Sequence, residues 1–191
     1  RPKGRARRLR AGDGTVGMFD FLAKLFGGDA GLGVDELARR LGMPEEELRN
    51  VKAAYREFSI PKKSGGVRTV HAPSDALKSV QKRIHRRLLA KLKSHPCATG
   101  FERGHSIVTN ARTHVGCEVV LKMDIKDFFP STDSKRVEKY FRKIGWNREA
   151  CRLLAALTTW QGGLPQGAPT SPRLSNLVNY RMDARLAALA A

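Results

Sequence analysis

Val34, Leu37, Ala38 and Leu41 fall on one face of a helix, and Gly42 interrupts the pattern. Pro44 then opens a second helix, along which Leu48, Val51 and Tyr55 continue an apolar face. Glu45, Glu46 and Glu47 occupy its first turn, where the helix dipole favours acids. The pair has helix-turn-helix spacing. Acids at the start of the second helix would repel phosphate, so a small packing module is the better reading. Phe58 and Ile60 next alternate with polar residues, Ser64-Gly65-Gly66 supplies a turn, and Val67 to Val70 return, which predicts a β-hairpin over residues 56–72. Leu77, Val80, Ile84, Leu88 and Leu92 then form the stripe of a helix over 75–93.

Downstream, residues 118–124 (Glu-Val-Val-Leu-Lys-Met-Asp) are apolar at most positions and predict a strand buried in a sheet. Val137, Tyr140, Phe141 and Ile144 point one way on a helix over 134–144 that Gly145 stops. Asn147 caps a further helix carrying Leu153, Leu154 and Leu157. Pro172 opens a last helix with Leu174, Leu177, Val178, Met182 and Leu186 along it. Helices and strands alternate irregularly and include a hairpin, which predicts an α+β fold and argues against a doubly wound parallel sheet. An apolar patch from Val16 to Phe26 could add one helix before these elements.

Charge changes this picture. The 191 residues carry a formal net charge of +18, which calls for a polyanionic partner. Residues 1–10 hold six basic side chains and no acid. Lys78, Lys82, Arg83, Arg86, Arg87, Lys91 and Lys93 cluster on the polar faces of the helix over 75–93. Such clustering is the footprint of a nucleic-acid binder, although a solvated basic face would look the same. Cys97, Cys117 and Cys151 are far apart and form no CxxC pair, so a disulfide framework and a zinc ribbon are both unsupported. A reducing cytoplasm fits that usage. No apolar run approaches the roughly 18 residues of a membrane span. The chain starts at Arg1 and ends in an Ala-rich run, and it reads as a piece of a longer protein.

Three segments carry candidate chemistry. Asp124 closes the apolar run Leu121-Lys-Met-Asp124, followed by Ile125-Lys-Asp127-Phe128-Phe129. A carboxylate on a rigid element suits a divalent metal beside phosphates, although an Asp at a strand end is also a common turn residue or cap. Gly162-Gly-Leu-Pro165-Gln166-Gly167-Ala-Pro169-Thr-Ser171-Pro172 is a bent, Gly- and Pro-rich loop before a helix. Gln166 there offers a donor and an acceptor to a base or sugar, and an ordinary helix entry capped by Thr170 or Ser171 is the alternative. Lys62, Lys63 and Arg68 stand on the Gly-containing hairpin, where they could clamp a triphosphate or merely face solvent.

In this order and spacing the three segments resemble a reverse transcriptase, over roughly 70% of the chain from about residue 56 onward. Lys63 to Arg68 resemble the fingers motif, Asp124 to Phe129 motif A, and Leu164 to Pro172 motif B. Asn110-Ala111-Arg-Thr-His114 lies between fingers and motif A and resembles the NAxxH element of retron-type enzymes.

The resemblance implies a right-hand polymerase. Residues 1–30 would be a basic flexible segment, 31–56 a helical N-terminal extension, 57–117 the fingers and 118–191 a partial palm. It implies that Asp124 is catalytic and binds two Mg²⁺ ions, with the Ile125 carbonyl on one of them. Lys63 and Arg68 would hold the triphosphate, with Asp127 and Phe128 offering backbone N–H groups to it. Phe129 would be the steric gate against a ribose 2′-OH, and Gln166 would touch the incoming nucleotide. Template RNA would meet Lys78, Lys82, Arg83, Arg86, Arg87 and Lys91.

The family's Tyr-x-Asp-Asp motif does not occur in these 191 residues, so the chain alone is expected to be inactive. The full-length enzyme is expected to copy a structured non-coding RNA into branched multicopy single-stranded DNA with dNTPs, in antiphage defence. Group II intron and diversity-generating enzymes, or a catalytically dead RNA-binding module, are the alternatives.

Overall fold

The computed structural model describes residues 30–62 and 65–190. The expectations for the N-terminal segment and for Lys63 fall outside that range. The described residues form nine α-helices and one two-stranded antiparallel sheet, an α+β arrangement.

Helices α1 (Val34–Leu41) and α2 (Glu45–Asn50) open the structure. Gly42 ends α1 in the left-handed region at φ 63°, where a side chain would be strained. The second helix stops at Asn50, and Tyr55 already belongs to strand β1 (Tyr55–Pro61). Strand β2 (Val67–Pro73) pairs with it in the register Tyr55↔Pro73 to Pro61↔Val67, so the expected hairpin is present. Helix α3 (Asp75–Ile84) passes into a π-helical turn, His85–Leu89. That turn ends the helix short of the expected residue 93. The Ser74 side chain caps α3 by accepting from the Leu77 N–H at 3.4 Å.

Helix α4 (Ile107–Arg112) and helix α5 (Phe128–Ser131) are short. Helices α6 (Ser134–Lys143) and α7 (Arg148–Thr158) are capped by the side chains of Asp133 and Asn147. The single helix expected after Pro172 is two, α8 (Ser171–Val178) and α9 (Tyr180–Ala190). Asn179 divides them, because its side chain is engaged sideways. It accepts from Arg136 Nη2 at 2.6 Å and donates to Thr132 Oγ1 at 3.1 Å.

One core runs through these elements. Leu37 and Leu41 of α1, Leu48 of α2, Leu77 and Ile84 of α3, Phe141 of α6, Leu154 of α7 and Leu174 of α8 are all fully buried and belong to one cluster. Burying such a side chain stabilises by about 1.5–3 kcal/mol, so this cluster holds the scaffold beneath the site. The N-terminal helices are tied in by backbone as well, since Leu32 exchanges hydrogen bonds of 2.9 and 3.0 Å with Gly145 and Asn147, on either side of Trp146. Gln81, itself buried, donates to the Tyr55 hydroxyl and the Leu157 carbonyl, both at 2.8 Å, linking hairpin, α3 and α7.

The strand expected over 118–124 is not formed. This segment is unpaired, and Val119, Val120, Leu121 and Met123 are exposed. The reason is physical. A strand satisfies its N–H and C=O groups only against a neighbour, and the sheet among the described residues contains β1 and β2 alone. Also among the described residues, no helix is long and apolar enough to cross a membrane.

Candidate nucleotide-binding site

Three separate segments close round one cavity of about 1060 Å³. Strand β2 brings Arg68 to its wall, the segment into α5 brings Asp124 to Phe129, and the loop before α8 brings Gln166 and Gly167. Arg68, Asp124, Ile125, Asp127, Phe128, Phe129 and Gln166 therefore meet here, together with Lys62 of the hairpin.

Backbone hydrogen bonds fix this meeting. The His71 N–H of β2 donates to the Gln166 carbonyl at 2.7 Å, joining the hairpin to the loop. The Leu164 N–H donates to the Phe129 carbonyl at 3.2 Å, joining the loop to α5. Glycines permit the close approaches. A Cβ on Gly163 would lie 2.2 Å from the Pro130 carbonyl oxygen. A Cβ on Gly167, at φ +118°, would lie 2.9 Å from the His71 carbonyl oxygen.

Backbone strain gathers at the same place. Among the described residues the non-glycine positions with positive φ are Phe101, Asp127 and Gln161, and all three line the cavity. Asp127 starts α5 at φ 50°, a conformation its short polar side chain tolerates, and its carbonyl accepts from the Ser131 N–H at 2.8 Å. Phe128 and Phe129 then emerge half-buried with ring centroids 6.1 Å apart. Phe129 packs against the core on one side and faces the cavity on the other.

Asp124 is exposed at the cavity wall and is followed by the Ile125 carbonyl. Carboxylate and carbonyl oxygens are the donors a hard divalent cation takes, so the residues present fit part of a metal site. Among the described residues no group of three His, Cys, Asp or Glu side chains could hold an ion by itself.

Other expected residues lie elsewhere. Asn110, Ala111 and His114 are exposed on and just after α4 and do not line the cavity, and Asn110 Oδ1 accepts from Thr99 Oγ1 at 3.1 Å. Lys78, Lys82, Arg86 and Lys91 are exposed. Arg83 and Arg87 have an intramolecular role as well. Arg83 Nη1 donates to the Gly42 carbonyl at 2.6 Å and Arg87 Nη1 to the Arg40 carbonyl at 3.2 Å, covering the C-terminal carbonyls of α1.

Sequence reasoning did not single out Phe101, Glu102, Arg173 or Asn176. Arg173 is nearly buried and pairs with Glu102, which also accepts from Ser94 Oγ at 2.8 Å and Asn176 Nδ2 at 3.0 Å. Burial pushes the Glu102 carboxyl up. The hydrogen bonds from Asn176 and Ser94 and the Arg173 charge outweigh that and leave it below its ordinary value. The one signal available in the sequence was an Arg within an otherwise apolar helical stripe.

Comparison with known proteins gives the family of the chain. The reverse transcriptase (RNA-dependent DNA polymerase) family matches residues 60–189. The retron Mx65 reverse transcriptase of Myxococcus xanthus is 42% identical over 165 residues, covering 77% of this chain and 38% of that protein. The retron Ec86 reverse transcriptase of Escherichia coli is 39% identical over 134 residues, covering 69% and 42% respectively. The retron Mx162 reverse transcriptase of Myxococcus xanthus is 36% identical over 182 residues, covering 82% and 38%. The chain belongs to the reverse transcriptase family and is of the retron type. It spans about 40% of the length of these relatives.

Proposed function

We propose that this chain is the nucleotide-binding part of a retron-type RNA-directed DNA polymerase, with residues 57–117 as fingers and 118–191 as part of the palm. The observation that carries the reading is the convergence of Arg68, Asp124, Phe129 and Gln166 from three distant segments on one cavity. The relatives' names support the retron type.

In this reading a primer hydroxyl attacks the α-phosphate of a dNTP and pyrophosphate leaves. Arg68 binds the triphosphate through its planar fork, and Lys63 adds a point charge. The N–H groups at Asp127 and Phe128 face the same phosphates. Gln166 hydrogen-bonds the base or sugar. The Phe129 ring fills the space a 2′-OH would need and so selects deoxynucleotides. Asp124 and the Ile125 carbonyl hold Mg²⁺, which supplies charge neutralisation when bound. The exposed segment 118–124 pairs with further strands of the palm, and carboxylates outside these 191 residues complete the metal site. The template is a structured RNA, and the product is branched single-stranded DNA serving antiphage defence.

The test is Asp124→Asn in the full-length enzyme. Primer extension should fall by at least about a thousandfold, as expected when a group essential to phosphoryl transfer is lost. RNA affinity should stay within about twofold, because no phosphate contact is removed. Parallel loss of both would sink the assignment.

A further inference from the structure

Phe101 combines features that its own sequence neighbourhood does not explain. It is a large apolar side chain with 72% of its surface exposed. Its backbone sits at φ 61°, a conformation that is an outlier for a bulky residue. Its ring faces the cavity and lies 6.3 Å, centroid to centroid, from Phe129, tilted by 45°.

The surroundings hold it there. On one side the Gly100 carbonyl accepts from Asn176 Nδ2 at 2.8 Å. On the other the Glu102 carboxylate accepts from the same Asn176 amide at 3.0 Å and from Arg173. Arg173 donates in addition to the carbonyls of Leu89 and Leu92. Both neighbours of Phe101 are therefore fastened to α8, the helix that the Gln166 loop enters. A strained, exposed aromatic held on both flanks persists only where the surrounding structure over-determines it.

We propose that Phe101 is a positioning residue for sugar discrimination. It packs against the Phe129 ring and limits the positions that the gate can take against a ribose 2′-OH. This rests on the polymerase reading given above. Phe101 acts through Phe129, so its effect belongs to the choice between dNTP and rNTP and not to catalysis in general.

The test is single-nucleotide incorporation of dGTP and GTP by the full-length enzyme with Phe101→Ala, Phe101→Tyr, Phe129→Ala and the double alanine variant. Phe101→Ala should lower the dGTP/GTP ratio of kcat/KM by about three- to tenfold, the worth of one aromatic pair. Phe101→Tyr keeps the ring and should restore the ratio. The double variant should match Phe129→Ala alone, because Phe101 has nothing left to pack against. Phe101 is exposed, so its truncation should leave folding intact, and thermal denaturation of each variant checks this. An unchanged ratio in Phe101→Ala, or equal losses on both nucleotides as base stacking would give, overturns the proposal. A wild-type enzyme that incorporates neither nucleotide would instead overturn the polymerase reading.

Discussion

Gly163 shows how much of the site depends on single atoms. Having no Cβ, it leaves room for the Pro130 carbonyl, which would otherwise be 2.2 Å away, and the atom it would strike belongs to backbone. Relief would need the loop before α8 to part from α5. Gly163→Ala should therefore destabilise the chain by about 1–3 kcal/mol, the usual cost of overpacking, read as a lower urea midpoint. An unchanged midpoint would mean that loop and α5 are not held together as described. At this scale the sequence was informative where chemistry is local. Asp124, Phe129 and Gln166 could be singled out because motif spacing is written along the chain. Phe101 could not, since its meaning lies in its neighbours' contacts with Asn176 and Arg173, more than seventy positions away. The hydrogen bonds of Arg83 and Arg87 to α1 carbonyls were likewise not legible, because those carbonyls come near only in the fold.

At the scale of elements, periodicity located the hairpin and the buried faces of α1, α3, α6 and α7. It failed at residues 118–124 because apolar composition states that a segment wants cover, but not what covers it. It also missed the break at Asn179, where side-chain hydrogen bonds and not composition decide the helix end. The segment 94–102 makes a separate prediction. Glu102 fastens it to α8 and has its carboxyl held below the ordinary value. A depressed folded-state pKa contributes stability that is complete above the unfolded value and is lost as pH falls through the folded one. Lowering the pH from neutral to below the ordinary carboxylate range should therefore loosen residues 94–102, seen as faster amide hydrogen exchange after correction for intrinsic rates. Glu102→Gln should show that loosening already at neutral pH. Exchange that is indifferent to pH in the unaltered chain would place the anchor elsewhere.

For the whole molecule the question is where a charge of +18 meets its partner. The cavity accounts for little of it, since Lys62, Arg68 and Lys126 are the lysines and arginines lining its wall. On α3, Lys78 and Lys82 stand one turn apart and exposed, and Arg86 follows one turn later. Arg83 and Arg87 lie between them and reach back to α1, so two cations of one basic run also serve the fold, with Arg83 half-buried and Arg87 exposed. Lys78, Lys82 and Arg86 are exposed and placed to track a phosphate backbone. Removing one cation that neutralises a phosphate lowers the slope of log affinity against log salt by about 0.7–0.9. Converting Lys78, Lys82 and Arg86 together to Gln in the full-length enzyme should thus flatten the slope for RNA by about 2–3, with the denaturation midpoint little changed. Arg83→Gln should do the reverse, lowering the midpoint by uncovering the Gly42 carbonyl while leaving the slope nearly intact. If both sets moved the salt slope equally, this separation of roles would be wrong, and the template would have to lie across α1 as well.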